Sequence, residues 1–152
     1  MATIEIRTIT PSDHAQWLPL WLGYNAFYGR DGATALAPEI TATTWARLLD
    51  PAVPMRAFVA EQEDVLVGLT HIVLHHSTIQ IESNCYLQDL FVSPAVRGRG
   101  VAKALIEAVY DFARHAGLPR VYWQTHETNS VARKLYDTVA ERSGFIVYRR
   151  IL

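Results

Sequence analysis

Leu87-Gln-Asp-Leu-Phe-Val-Ser-Pro-Ala-Val-Arg-Gly-Arg-Gly-Val-Ala-Lys-Ala-Leu105 runs an apolar strand into a helix through a turn that is bracketed by Gly98 and Gly100 and carries Arg97 and Arg99. The two glycines admit backbone conformations that other residues avoid and let a ligand approach the main chain closely. Beyond Gly100 the first N–H groups of the predicted helix have no intrahelical acceptor and lie at the positive end of its dipole. Such a turn holds an anion, and phosphate or pyrophosphate is the natural guest. Two phosphate-binding classes are excluded by the residues that follow. A P-loop requires Lys and then Ser or Thr after its second glycine, whereas Gly100 leads into Val101 and Ala102. A dinucleotide turn requires a third glycine where Lys103 stands, and an acid about twenty residues further on, where 118–124 has none.

Working outward, Cys85 to Val92 is apolar on both pleat faces, as a covered central strand is. It carries Gln88 and Asp89 on opposite faces, and buried polar groups need partners or a task. The helix after Gly100 repeats Val101, Leu105, Val109 and Phe112 on one side, sets Lys103, Glu107, Asp111 and Arg114 on the other, and ends at Gly117 before Pro119. Upstream, Thr3 to Thr8 alternates like a strand. Pro11-Ser-Asp opens a helix with an aromatic face of Trp17, Leu20, Trp21 and Tyr24, broken at Gly29-Arg-Asp-Gly32. A second helix is predicted over 38–49. Ala57 to Glu61 and Val65 to Leu74 form a hairpin turned by Gln62-Glu-Asp64, and 75–84 is a loop or a frayed strand extension. Downstream come a strand at Val121 to Thr125, a helix over Asn129 to Tyr136 and a terminal strand, Phe145 to Leu152.

The chain has 152 residues, half of them hydrophobic, with a net charge of −1. This is one domain over 1–152, large enough to bury most of its apolar surface. The mixed charge gives no long-range pull towards nucleic acid or a membrane. No stretch approaches the about 20 apolar residues of a bilayer span, and no apolar signal core follows Met1. One cysteine makes no internal disulfide, so a reduced, cytoplasmic setting is expected.

Arg97-x-x-Gly100-x-Ala102 resembles the acetyl-CoA motif of the GNAT superfamily of N-acetyltransferases, written Q/R-x-x-G-x-G/A. Asn129-Ser-Val-Ala-Arg-Lys-Leu-Tyr136 resembles its later N-x-x-A-x-x-x-Y segment, and Gly144-Phe145 its Gly-Phe pair. The order of elements matches over 57–150, with the polyamine and histone acetyltransferase branch the nearest in flavour, and the N-terminal third fits loosely. The resemblance implies an α/β (α+β) fold: a mixed, largely antiparallel twisted sheet of about six to seven strands with about four helices on both faces. It implies acetyl-CoA as cosubstrate and acetyl transfer to a primary amine, whether a small amine, a polyamine or a Lys side chain, by direct attack in a ternary complex. The cofactor set is then Arg97, Gly98, Arg99, Gly100, Val101, Ala102 and Lys103 at the pyrophosphate, the main chain of Leu90, Phe91 and Val92 along the pantetheine arm, and Asn129, Ala132 and Tyr136 from the later helix.

The leaving thiolate has a solution pKa of about 8.5, and a hydroxyl beside the sulfur would assist its departure. Tyr136 is the candidate acid, seven residues after Asn129 and so on the same side of the helix. The alternative is that Asn129 caps the helix and Tyr136 packs in the core. The protonated amine also needs a base. The branch commonly has an acid where Gln88 stands here, which leaves Asp89, as base or as buried anchor, and Glu82, acting through water from the face shared with Gln88. The acceptor is expected near Trp17, Trp21, Tyr24, Phe27, Tyr28 and Trp45, where Asp31, Glu39, Glu82 and Glu127 would suit a cation. His71, His75 and His76 lack the partners of a metal set, and Cys85 reads as a small hydrophobe. A non-catalytic acyl-CoA binding domain, a purely structural domain and a homodimer built on the terminal strand remain open.

Overall fold

The computed structural model describes residues 2–152. Its sheet runs in chain order: β1 (Glu5–Thr8), β2 (Met55–Gln62), β3 (Val65–His75), β4 (Asn84–Val92) and β5 (Val121–Tyr122). The first four strands pair antiparallel, and β5 joins β4 in parallel. β2 and β3 meet through Glu63 and Asp64, both at positive φ, so this is a two-residue hairpin whose twist matches its strands. The helices are α1 (His14–Phe27), α2 (Pro38–Leu49), α3 (Val101–Ala116) and α4 (Ser130–Val139).

Helices cover both faces of the sheet. On one, α1 lays Trp17, Leu20, Trp21 and Tyr24 at helical spacing against Val59 and Leu69, with Leu48 of α2 beside them. On the other, α3 packs Val101, Leu105, Ile106 and Val109 against Ala60, Val67, Ile72 and Leu87, and α4 adds Leu135, Tyr136 and Val139. Gly68 permits that contact, because a Cβ there would meet Leu105 at 3.2 Å and Val101 at 3.3 Å. No helix among the described residues is long and apolar enough to cross a membrane.

The sheet has five strands, not six to seven. The missing strand is Phe145–Leu152: residues 140–152 form no helix or strand and every one is exposed. A strand exists only through its ladder partner, and this segment has none within one copy. The strand expected at Val121 to Thr125 also stops at Tyr122, since Trp123 has left the reach of β4.

The start of α1 is fixed by charge. Arg7 grips the Asp13 carboxylate with both terminal nitrogens, each at 2.8 Å, and reaches Glu61 Oε2 through Nε at 2.7 Å. The Asp13 side chain also accepts from the Thr10 N–H. The Arg7 hydrogen bonds hold the Asp13 carboxyl down at about 2, against the cost of its burial. A carboxyl lowered in the folded state stabilises above its unfolded value of about 3.9, and that stability is lost as pH falls through the folded one. Thermal stability should therefore fall steeply between about pH 4 and pH 2. In Asp13→Asn that acid limb should flatten while stability at pH 7 drops by about 1–2 kcal/mol, which calorimetry across pH would check.

Candidate active site

β4 and β5 pair only at Cys85–Val121 and Tyr86–Tyr122 and then separate. β4 runs on to Val92 with its β5 side uncovered. The Ser93 N–H donates to the Val67 carbonyl at 2.8 Å, so strand alternation turns Phe91 towards β3 as well and presents the backbone of Leu90 and Val92 to the open side. Of the three main-chain residues predicted for the pantetheine arm, these two face the gap. The Val92 carbonyl accepts from Arg97 Nε at 3.1 Å, leaving its N–H and both Leu90 groups exposed to a ligand.

A β-bulge sits in this strand. Asp89 pairs with His71 and Leu87 with Ile72, so Gln88 opposes no residue. The bulge keeps Gln88 exposed and Asp89 buried, and the Gln88 carbonyl meets the Tyr24 hydroxyl at 3.5 Å. A narrow cleft of about 20 Å³ opens here, lined by Tyr24, Tyr28, Gln88, Leu90, Trp123 and Tyr136, among others. Tyr136 stands edge-on to Trp123, with centroids 5.4 Å apart, and burial pushes its hydroxyl up to about 12. It therefore keeps its proton at neutral pH, as an acid must.

Asp89 lies behind the cleft. Its Oδ2 takes the His71 Nδ1 at 2.9 Å, and His71 Nε2 takes the Trp17 Nε1 at 3.1 Å. Since indole only donates, the His71 proton sits on Nδ1 and points at Asp89. Tyr24 faces the same carboxylate, and burial first, then the Asp89 charge, raise its pKa. Glu82 is exposed in the loop before β4, so strand alternation does not reach it and it shares no face with Gln88. Asp31, Glu39 and Glu127 are exposed too, and no carboxylate lines the cleft.

The anion turn has the expected backbone. Gly98 (φ 79°) and Gly100 (φ 80°) are left-handed with open space around them, so the glycines are required by conformation alone. Gly100 occupies the N-cap of α3 without a capping side chain, and the first intrahelical bond is Ala104 N–H to Gly100 O at 3.0 Å. The N–H groups of Val101, Ala102 and Lys103 thus remain free for a pyrophosphate. Arg97 lies over Phe91, 5.6 Å from its centroid, and both line a larger groove of about 440 Å³ beside Gly23 and Phe27.

On α4, Asn129 does cap the helix, its side chain accepting from the Ala132 N–H at 3.4 Å, while Tyr136 faces the cleft. Cys85 is fully buried and its thiol is pushed up to about 11, which suits a core residue and not an acyl carrier. Of the expected acceptor aromatics, Trp17, Trp21 and Tyr24 are buried while Phe27 and Tyr28 are exposed. Sequence reasoning missed Arg30. Its guanidinium lies 5.3 Å from the Tyr28 ring centroid and 5.9 Å from that of Tyr24, held by Nε donating to Asn25 Oδ1 at 2.7 Å. The signal was a cation two residues beyond the aromatic pair Phe27-Tyr28.

A strand edge with free backbone groups, a left-handed glycine turn at a helix N-terminus and a half-buried tyrosine lining the cleft are parts that an acyl-CoA-dependent transferase needs. The model of the acetyltransferase (GNAT) family matches residues 19–140, and the chain belongs to that family. It is 36% identical over 150 residues to the D-amino-acid N-acetyltransferase HPA3 of Saccharomyces cerevisiae, covering 97% of this chain and 90% of that one. It is 27% identical to the thialysine N-epsilon-acetyltransferase of Caenorhabditis elegans, over 91% of this chain and 83% of that one. The aminoglycoside N-acetyltransferase AAC(6')-Iy, solved with a CoA-linked bisubstrate analogue, superposes with a TM-score of 0.83 at 19% identity over 99% of both chains. The protein is an acetyl-CoA-dependent N-acetyltransferase, and a non-catalytic role gains no support.

Gly100→Ala should cost about 1 kcal/mol of stability through left-handed strain, and it should weaken acetyl-CoA binding beyond that by tilting the free N–H groups. The CoA-induced shift in melting temperature should shrink relative to a control such as Gly32→Ala, also left-handed but distant in sequence from the turn.

Proposed function

We propose that residues 1–152 form one catalytic domain that acetylates the amino group of a small amine bearing a carboxylate, an amino acid in the simplest case. The observation that carries this reading is Arg30. It stands over Tyr24 and Tyr28, two of the side chains that line a cleft with no acid in its lining, and its two terminal nitrogens make no hydrogen bond among the described residues. A guanidinium fork suits a carboxylate and repels a polycation. This disfavours the polyamine and histone acceptors that the motifs resemble, and the D-amino-acid specificity in the yeast relative's name supports the choice. The lone, buried Cys85 suits the cytoplasm, where thiols stay reduced.

Acetyl-CoA supplies an acetyl group activated as a thioester. The N–H groups from Gly98 to Lys103 hold its pyrophosphate, Leu90 and Val92 fix the arm, and Asn129 orders the start of α4 so that Ala132 and Tyr136 lie alongside. Tyr28 is half exposed and can move aside to widen the cleft. A main-chain N–H of β4 stabilises the negative charge that develops on the carbonyl oxygen. The amine nitrogen replaces sulfur on the acetyl carbon and loses two protons, the first from the ammonium before attack and the second as the tetrahedral intermediate collapses to the amide. Tyr136 protonates the departing thiolate and is made neutral again by the second. Asp89, the carboxylate behind the cleft, takes the first through the Tyr24 hydroxyl that faces it.

CoA release should be measured with D- and L-amino acids, their carboxamides, polyamines and an aminoglycoside. Amino acids should be preferred over their carboxamides. Arg30→Gln should raise KM for amino acids about tenfold and erase that preference with kcat nearly unchanged. Preference for a polyamine, or an indifferent Arg30→Gln, would overturn the reading. Tyr136→Phe should lower kcat by about 10²-fold or more with acetyl-CoA affinity retained.

A further inference from the structure

β4 and β5 part directly after the pair Tyr86–Tyr122, and the residues that follow, Leu87 and Gln88 on one strand and Trp123 and Gln124 on the other, line the cleft. Tyr86 and Tyr122 therefore stand at its root. Their neighbours fix which way they point. Cys85, Leu87, Val121 and Trp123 all lie in or against the core under α3 and α4. Strand alternation then turns Tyr86 and Tyr122 to the opposite face, the one that carries α1 with Tyr24 and Tyr28. There the two rings stack, with centroids 5.0 Å apart and planes 27° from parallel. Both are only partly buried, and neither belongs to a core cluster among the described residues.

The stack is held at a fixed angle. His75, the last residue of β3, meets the Tyr122 hydroxyl through Nε2 at 2.6 Å and the His76 carbonyl through Nδ1 at 2.9 Å. A carbonyl only accepts, so the neutral imidazole carries its proton on Nδ1, and Nε2 accepts from Tyr122. The imidazole also stands edge-on to the Tyr122 ring, with centroids 5.7 Å apart. Burial first, and then the Asp89 charge, Tyr122 and Tyr28, raise the Tyr86 pKa, so that ring also stays neutral and lies within electrostatic reach of the carboxylate and of Tyr28. Fixed, neutral aromatic surface left open beside an active site is surface that a ligand can cover.

We propose that the Tyr86–Tyr122 stack receives the side chain of the acceptor, and that the enzyme favours amino acids with a planar aromatic side chain over those with a small one. The proposal rests on the reading given above, in which the amine enters the cleft and Arg30 holds the carboxylate. With those two substituents of the α-carbon directed to the cleft and to Arg30, the third lies across the rings at the cleft root. A flat side chain continues the stack, and offset or edge-on ring contacts add to the effect of the area covered. An aliphatic chain gains from the area alone. A cationic side chain would meet Arg30 with no acid in the cleft lining to offset the repulsion. His75 touches neither reactant and acts as a positioning residue, through the Tyr122 hydroxyl.

The test compares kcat/KM within each variant for tryptophan against alanine, in the enantiomer that the enzyme turns over, and for tryptamine against ethylamine, which lack the carboxylate. Wild type should favour the aromatic member of each pair by about tenfold or more. Tyr86→Ala and Tyr122→Ala should each bring that ratio close to unity. A ratio taken within one variant is insensitive to partial unfolding, because both substrates lose activity alike. His75→Ala should reduce the ratio through KM for the aromatic substrate with kcat held, and His75→Gln, whose amide oxygen can still accept from Tyr122, should restore it. Arg30→Gln should lower kcat/KM for both amino acids and leave the aromatic ratio intact. The two readings therefore fail separately: a preference for tryptamine over ethylamine, without any preference for amino acids over amines, removes the role of Arg30 and keeps that of the stack. An aromatic ratio near unity in both wild-type pairs, or one that survives both tyrosine substitutions, would sink the proposal.

Discussion

The parting of β4 from β5 after two residue pairs is the constraint from which the rest of the site follows. An interior strand that loses its neighbour exposes main-chain groups that folding would otherwise pair, and leaving them unpaired in a covered sheet is costly. Here the uncovered length runs from Leu87 to Val92, beside a cleft instead of a core. The bulge at Gln88 falls in the same stretch. By inserting one residue without a partner, it turns the Gln88 carbonyl towards Tyr24 while the Asp89 carboxylate stays buried against His71. A ligand that supplies amide-like groups along β4 replaces the missing strand.

This arrangement separates two kinds of recognition. In the proposed reading the cosubstrate faces backbone: the β4 edge and the N–H groups that begin α3. Those groups are indifferent to side-chain change so long as Gly98 and Gly100 keep their left-handed turns. The proposed acceptor side is built from side chains on and just after α1, chiefly Tyr24, Tyr28 and Arg30. Acceptor choice can therefore change without disturbing the cofactor site. That is consistent with one fold recurring at 19–36% identity among relatives named for D-amino-acid, thialysine and aminoglycoside substrates.

The elements legible in the sequence were those whose signal is local. Alternation gave β1, two strand-like runs around Gln62-Glu-Asp64 gave the β2–β3 hairpin, a run apolar on both pleat faces gave β4, helical spacing ended by Gly117 gave α3, and the glycine turn identified itself through the residues it lacked. Reading the motif against its family pointed to the turn and to Tyr136 as the residues to propose for the cofactor and the acid. The remainder depends on pairing between distant segments. No local pattern marks Gln88 as a bulge, because a bulge is a mismatch between two strands and not a property of one. Asp89 reads equally as base or anchor until its contact with His71 is known. Arg30 gave only a weak signal, since a cation shortly after the aromatic pair Phe27-Tyr28 and the helix-ending Gly29 is ordinary until the chain folds it over Tyr24 and Tyr28. Phe145–Leu152 was expected as a terminal strand, but a strand needs a ladder partner, and within one copy none forms.

The buried chain Trp17–His71–Asp89 explains why the acceptor side holds its position. Each of these groups is costly to bury alone, and each satisfies the next: indole N–H to imidazole, imidazole N–H to carboxylate. Trp17 belongs to α1, His71 to β3 and Asp89 to β4, so the chain links the helix that carries Tyr24 to the strand that carries the bulge. Removing any member leaves a polar group unpaired in the core, a larger penalty than losing the bond itself. The register of α1 against β4 is thereby fixed by the same carboxylate that faces Tyr24. Asp89 thus serves as anchor and stands beside the Tyr24 hydroxyl at once, and the two readings its sequence position allowed are compatible in one geometry.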